Sequence, residues 1–235
     1  MTDLHDLLVL QQHDTAADQL RHRRSTLPER TLVSGLQEER ARVQSELERA
    51  TGERDGLVAR QEQLESEVAA GEAKRRTLEG RLSATSVPRE AQAMSDEIDG
   101  IKARQSVLED ELLEIMEAVE PLDNTLAAGR ETLAGLEERL DQARTALAGA
   151  EADVDRQLAD VLAARPGAAA PIPPALLDRY ERLRSKLGGV AIATLDGTRC
   201  TGCNLMLPTL ELERVRAAAP GVVVECEQCG RILVR

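Results

Sequence analysis

The sequence contains no phenylalanine, no tryptophan and a single tyrosine, Tyr180, in 235 residues. Aromatic rings supply much of the buried area of an ordinary globular core, so here the apolar volume has to come from Leu, Val, Ala and Ile. Such residues suffice where long helices pack side by side, because the seam between two helices needs one apolar residue every three or four positions. Lysine is scarce too: Lys74, Lys102 and Lys186 stand against a large majority of arginine, which reads as codon usage in a GC-rich genome and says nothing of function. Long apolar runs are also missing. The opening stretch MTDLHDLLVLQQHD has only Leu7, Leu8, Val9 and Leu10 in succession between acids. That is too short for a signal peptide or a membrane anchor, and it predicts a cytoplasmic protein without a membrane association.

Positive charge is short overall, with a formal net charge of −12. Residues 174–187 carry Arg179, Arg182, Arg184 and Lys186 against Asp178 and Glu181, and residues 188–235 balance Arg199, Arg214, Arg216, Arg231 and Arg235 against as many acids. The C-terminal part is therefore about +2 and the first 165 residues hold about −14. A polyanion is repelled by most of the chain, so any nucleic-acid contact is expected only in the last sixty residues or so.

What the sequence has in abundance is heptad order. Leu36, Val43, Ala50, Leu57, Leu64, Gly71 and Leu78 recur every seven residues, with Leu47, Val68 and Leu82 in the companion row, where Arg40, Arg54, Gln61 and Arg75 interrupt. A second run is cleaner, with Met94, Ile101, Leu108, Ile115, Leu122 and Leu136 in one row and Ile98, Leu112, Val119, Leu126, Leu133, Leu140, Leu147, Val154 and Val161 in the other. Between them lies SATSVPREAQ, where Pro88 holds Val87 extended and suits a first helical position. The spacing predicts a long antiparallel coiled-coil hairpin over 1–165 with its turn near 83–88. The first 25 or so residues are expected to lie against the lower end of the descending helix. Breaks or kinks are expected near Pro28 and Pro121. His5, His13 and His22 recur too loosely to share a face and read as solvated or seam-edge side chains.

The proline- and alanine-rich stretch 166–174 is expected to end the helix and act as a semi-rigid linker. Residues 175–235 form a different module: a short helix ending at Gly188-Gly189, the strand VAIATL, a helix opened by Pro208, and the strands VVVEC and RILVR. Tyr180 reads as a packing residue of the first of these helices. All four cysteines fall here, as Cys200-x2-Cys203 and Cys226-x2-Cys229. Two residues between cysteines let one tight turn present both sulfurs to one ion, and two such turns complete a tetrahedron. Glycines in CTGC and CEQCG are expected to supply the backbone freedom such turns require. Four thiolates suit zinc, although ligand type alone also admits iron. They leave no open position for water or substrate, so one structural Zn2+ is expected and an enzyme is not.

The pairing of CTGC with VVVECEQCGRILVR, together with the stretch from Pro88 to Glu120, resembles the bacterial coiled-coil proteins that end in a C4-type zinc ribbon. The resemblance implies a mostly α fold: the hairpin followed by a small α/β zinc-ribbon module, with Cys200, Cys203, Cys226 and Cys229 as zinc ligands. It also implies non-enzymatic adaptors, some acting with flagellar or type III secretion systems and an alternative sigma factor, and RNA binding has been attributed to the family. This sequence lacks aromatic side chains on which bases stack. The leading expectation is an adaptor or regulatory protein that binds protein partners through the arm and the ribbon. The alternative is a nucleic-acid-binding regulator using Arg179, Arg182, Arg184, Lys186, Arg199, Arg214, Arg216, Arg231 and Arg235. Apolar residues left exposed along a thin two-helix arm would favour a homodimer.

Overall fold

The computed structural model describes residues 4–219 and 221–234. Its elements are α1 (Leu4–Ser25), α2 (Pro28–Ala84), α3 (Pro88–Ala169), α4 (Pro174–Lys186), β1 (Ile192–Asp196), β2 (Arg199–Cys200), α5 (Thr209–Ala217), β3 (Val224–Glu225) and β4 (Ile232–Val234). They divide into two compact units, one of residues 33–142 and one of residues 1–32 with 143–235.

The unit of 33–142 is the outer hairpin, closed where the heptads place it. Leu36, Ala50, Leu64 and Leu78 are buried from the ascending helix, and Ile98, Leu108, Ile115, Leu126, Leu136 and Leu140 from the descending one. Two of the four interruptions in the companion row have partners across the seam, Arg40 reaching Glu137 at 3.1 Å and Arg54 reaching Asp123 at 3.1 Å, while Gln61 and Arg75 pair within α2 with Glu65 and Glu79. Arg60–Glu111, Lys74–Glu97 and Arg104–Glu67 add further cross-helix pairs. Each exposed pair contributes only about 0–1 kcal/mol, so apolar burial holds the helices together and the charges fix register. At the turn, Val87 N–H donates to Thr85 Oγ1 at 3.3 Å and Pro88 opens α3.

Pro28 does break the ascending chain. The Thr26 N–H closes α1 on His22 O at 3.0 Å, Leu27 is buried, and Pro28 starts α2. Pro121 does not interrupt α3, which is continuous through it; a single missing donor is tolerated where both flanking turns stay packed. The expected linker is also corrected at its start, because α3 continues through Pro166 and Gly167 to Ala169. Ala168 and Ala169 pack against a buried cluster containing Leu7, Ile172 and Tyr180, and that burial offsets the poor helix propensity of the last turn.

Glycines interrupt both long helices. At Gly100 and Gly135 an added Cβ meets nothing within 4 Å, so the side-chain-free backbone costs helix stability without serving close packing. Gly100→Ala and Gly135→Ala are each expected to stabilise the hairpin by about 0.5–1 kcal/mol, read as a rise in the urea midpoint at unchanged slope.

The second unit joins α1, the end of α3, α4 and the ribbon. Its sheet has the order β2-β1-β4-β3, with β1 parallel to β4 and the other pairs antiparallel. Alternation along the two central strands gives it two apolar faces. Ile192, Ile232 and Val234 meet Leu4, Leu7, Leu10 and Tyr180, while Ala193 and Leu233 meet Leu207, Leu212, Val215 and the cysteines. The helix α1 therefore packs on the ribbon as well as lying along the end of α3. An apolar stripe through Leu7, Leu10 and Ala17 explains that placement, because a lone amphipathic helix needs a surface to bury it.

Polar groups inside this unit are joined to one another. Asp14, with only 4% of its side chain exposed, accepts from Arg165 at 2.6 and 3.1 Å and from the Tyr180 hydroxyl at 2.7 Å. Burial pushes the Asp14 carboxyl up, but the hydrogen bonds from Arg165 and Tyr180 outweigh it and hold the group below the usual carboxylate range. Arg165 also pairs with Glu181, and Arg184 with Asp18. Gln11 donates to Gly189 O at 2.9 Å and accepts the Ala191 N–H at 2.7 Å, fixing the loop that leads into β1.

Candidate metal centre

The four cysteines sit on two turns with the same hydrogen-bond pattern. In the first, Cys200 N–H donates to Leu205 O at 3.0 Å and Asn204 N–H to Cys200 O at 2.8 Å; in the second, Cys226 N–H donates to Arg231 O at 2.9 Å and Gly230 N–H to Cys226 O at 2.8 Å. Each turn needs a left-handed residue just after its second cysteine, supplied by Asn204 at φ 61° and Gly230 at φ 72°. Asparagine is among the few non-glycine residues that take this conformation readily. Gly202 therefore serves differently from the backbone freedom expected of it. A Cβ there would meet Arg231 Cδ at 2.5 Å and the Ala193 Cβ at 3.0 Å, so its role is to let the second turn and β1 approach the first.

The turns bring the four Sγ atoms within 4.8 Å of one another, with Cys200 Sγ and Cys229 Sγ at 3.9 Å. A tetrahedron of thiolates about 2.3 Å from a central zinc ion has edges of about 3.8 Å, so the donor set fits the ion. No disulfide links the cysteines. The Gly202 N–H points to Cys200 Sγ at 3.4 Å, a dipole that favours the thiolate. Burial pushes the Cys226 thiol up to about 12 and raises Cys200 as well. Burial acts the same way on Cys229, but the backbone N–H and side chain of Arg231 prevail and lower it. Cys200, Cys203, Cys226 and Cys229 would hold zinc as a closed crosslink between the two turns.

The cations named from sequence are mostly engaged. Arg179 pairs with Glu225 at 2.9 Å, Arg184 with Asp18 at 2.5 Å, and Arg214 with Glu227 at 2.8 Å. Arg231 donates to Val190 O at 3.0 Å and to Leu187 O, binding the second knuckle to the loop before β1. Arg216 donates to Gly197 O. Arg182, Lys186 and Arg199 are exposed, and Arg235 lies outside the described residues. Five of the nine, Arg179, Arg184, Arg214, Arg216 and Arg231, are thus tied to carboxylates or backbone carbonyls of the same compact unit.

Sequence reasoning passed over Gln11, which ties α1 to the loop before β1, Asp14 and Arg165, which tie α1 to α3 and α4, and the buried Glu211, whose Oε1 accepts the Glu227 N–H at 2.8 Å. A signal for the first two was present: Leu7, Leu10, Gln11, Asp14 and Ala17 follow helical spacing, which puts both polar residues in the buried stripe.

Comparison with known proteins agrees with the geometry. Residues 10–188 match the model of the CT398-like coiled coil hairpin domain, and residues 199–233 match the C4-type zinc ribbon domain. A protein of Mycobacterium tuberculosis is 33% identical over 235 aligned residues, covering 97% of this chain and 94% of the relative. A solved structure from Mycobacterium smegmatis superposes with a TM-score of 0.88 at 28% identity, over 98% of this chain and 96% of that one. CT398 from Chlamydia trachomatis superposes at 0.80 with 20% identity over the same shares, a likeness of fold.

Proposed function

The chain belongs to the family of CT398-like coiled-coil hairpin proteins, here ending in a C4-type zinc ribbon, and on that premise we propose that it is a non-enzymatic adaptor that binds protein partners through its hairpin and its ribbon. One observation carries the reading. Leu205 and Met206, just after the first knuckle, are 52% and 67% exposed, and Leu210 on α5 is 82% exposed, although the ribbon closes its own core without them. Large aliphatic side chains left exposed on so small a module support a role in protein contact. The outer hairpin likewise leaves Val107, Leu113 and Met116 exposed while its seam is closed. A closed four-thiolate centre supports a structural metal with no place for substrate, and among the described residues no helix is long and apolar enough to cross a membrane. The engagement of five of those cations within their own unit and the net charge of −12 support protein rather than nucleic acid as the ligand, because phosphate recognition draws on cations free to pair with it.

The test is capture from cells with the wild-type chain and with a Cys226→Ser/Cys229→Ser variant, each with and without nuclease. Protein partners that survive nuclease and are lost from the cysteine variant are the expected result. Partners stripped by nuclease, with RNA or DNA retained by the wild type in a salt-sensitive manner, would replace the adaptor by a nucleic-acid-binding regulator.

A further inference from the structure

One face of α5 presents Leu210, Glu213, Arg214 and Ala217 at successive helical turns, and Glu227 of the second knuckle stands opposite. Between them lies a cleft of about 470 Å³. Glu211 lines the same cleft and is only 4% exposed. Its Oε1 accepts the Glu227 N–H at 2.8 Å, but its Oε2 is buried and has no hydrogen-bond donor. An acceptor left unmet inside a protein is destabilising, more so when charged, and so calls for a ligand or another physical cause. The charges around it are unbalanced: Glu211, Glu213 and Glu227 face one cation, Arg214, whose guanidinium goes to Glu227 at 2.8 Å and leaves Glu211 without a counter-ion. Leu210, the most exposed large apolar side chain among the described residues, forms the lip with Pro208.

We propose that this cleft receives a lysine or arginine side chain of a protein partner, with its aliphatic stem over Leu210, Pro208 and Ala217 and its cationic head at Glu211 Oε2. Long basic side chains are suited to such a site because they bury an apolar stem while keeping a charged tip for hydrogen bonding. This names the partner chemistry of the adaptor reading and rests on it. A metal ion does not suit the cleft, because among the described residues only the four cysteines bring three or more metal-ligating side chains within reach of one ion. A phosphate group would meet three carboxylates.

The test is titration of the zinc-loaded, nitrogen-labelled full chain with capped tripeptides Leu-Lys-Leu and Leu-Arg-Leu, with Leu-norleucine-Leu and Leu-Glu-Leu as controls. Saturable shifts are expected at the amides of α5 and Glu227 for the basic peptides alone. Glu211→Gln keeps an acceptor for the Glu227 N–H but loses the charge, and should bind them about tenfold more weakly with zinc content unchanged. Equal binding of the norleucine peptide, or wild-type binding by Glu211→Gln, overturns the proposal. Should Glu211→Gln lose zinc, Leu210→Ser decides in its place: weaker binding of the same peptides supports the cleft, and unchanged binding removes it. The adaptor reading fails separately, on the nuclease-resistant capture, so a partner still captured while the peptides fail to bind refutes the cleft alone.

Discussion

Chelation of the zinc-loaded protein is expected to unfold the ribbon and leave nearly all of the helical signal in place. The ribbon's inner core consists of Ala193, Leu207, Leu212, Val215 and Leu233 around Cys200 and Cys226, with no aromatic ring and little more than small aliphatic side chains. Domains of this size seldom fold on such a core alone, whereas a structural zinc ion contributes on the order of 10–16 kcal/mol in small fingers. The helix α5 contributes 9 helical residues against 22, 57, 82 and 13 in α1–α4, so helical circular dichroism should fall by about a twentieth. The amides of β1 and β4 should lose their protection from hydrogen exchange at the same time. Retention of that protection in metal-free protein would contradict the assignment. Acid should act as the chelator does. Zinc takes thiolates, and burial raises Cys200 and Cys226, so protons compete more strongly as pH falls and metal affinity drops with it.

Asp14→Ala should be the most damaging substitution outside the metal centre. It would leave Arg165, Arg184 and the Tyr180 hydroxyl facing an apolar gap where a carboxylate now accepts from or pairs with all three. Breaking a buried pair by removing one partner costs about 3–5 kcal/mol, whereas Asp14→Asn keeps an acceptor for Tyr180 and should lose less. The pH dependence follows from the direction of the shift. The folded-state carboxyl titrates below its unfolded value, so its stabilisation is complete above the usual carboxylate range and disappears as pH falls through the lowered folded value. Urea unfolding of wild type and Asp14→Asn as a function of pH checks this: the difference between the two should shrink with acidification, and a constant difference would refute it.

The parts of the fold legible in sequence were those written in a repeat. Heptads at Leu36–Leu78 and Ile98–Val161 give the helix pair, Pro88 gives the turn, and the two Cys-x2-Cys pairs give the ligand cluster, because each depends on local spacing. What was not legible depends on contacts between distant segments. Asp14 looks like any acid until Tyr180, 166 residues away, is placed against it. Pro166 reads as a helix breaker, and only the packing of Ala168 and Ala169 shows why α3 continues. Asn204 takes the left-handed position without a glycine to announce it. The burial of Glu211 follows from the closeness of α5 to the second knuckle, which no spacing records.

The sheet has one further consequence. Its central strands hold Ile192 and Ile232 on the face toward α1, and Ala193 and Leu233 on the face toward the cysteines. Neighbouring residues of a strand cannot change register independently, so neither face can loosen while the other stays in place. The grip on the metal and the docking of α1 thus draw on one shared free energy. By thermodynamic reciprocity, whatever steadies α1 on the sheet tightens the ion, and loading the ion steadies α1 to the same degree. Zinc affinity becomes a gauge of events on the opposite side of the sheet, where no cysteine is present.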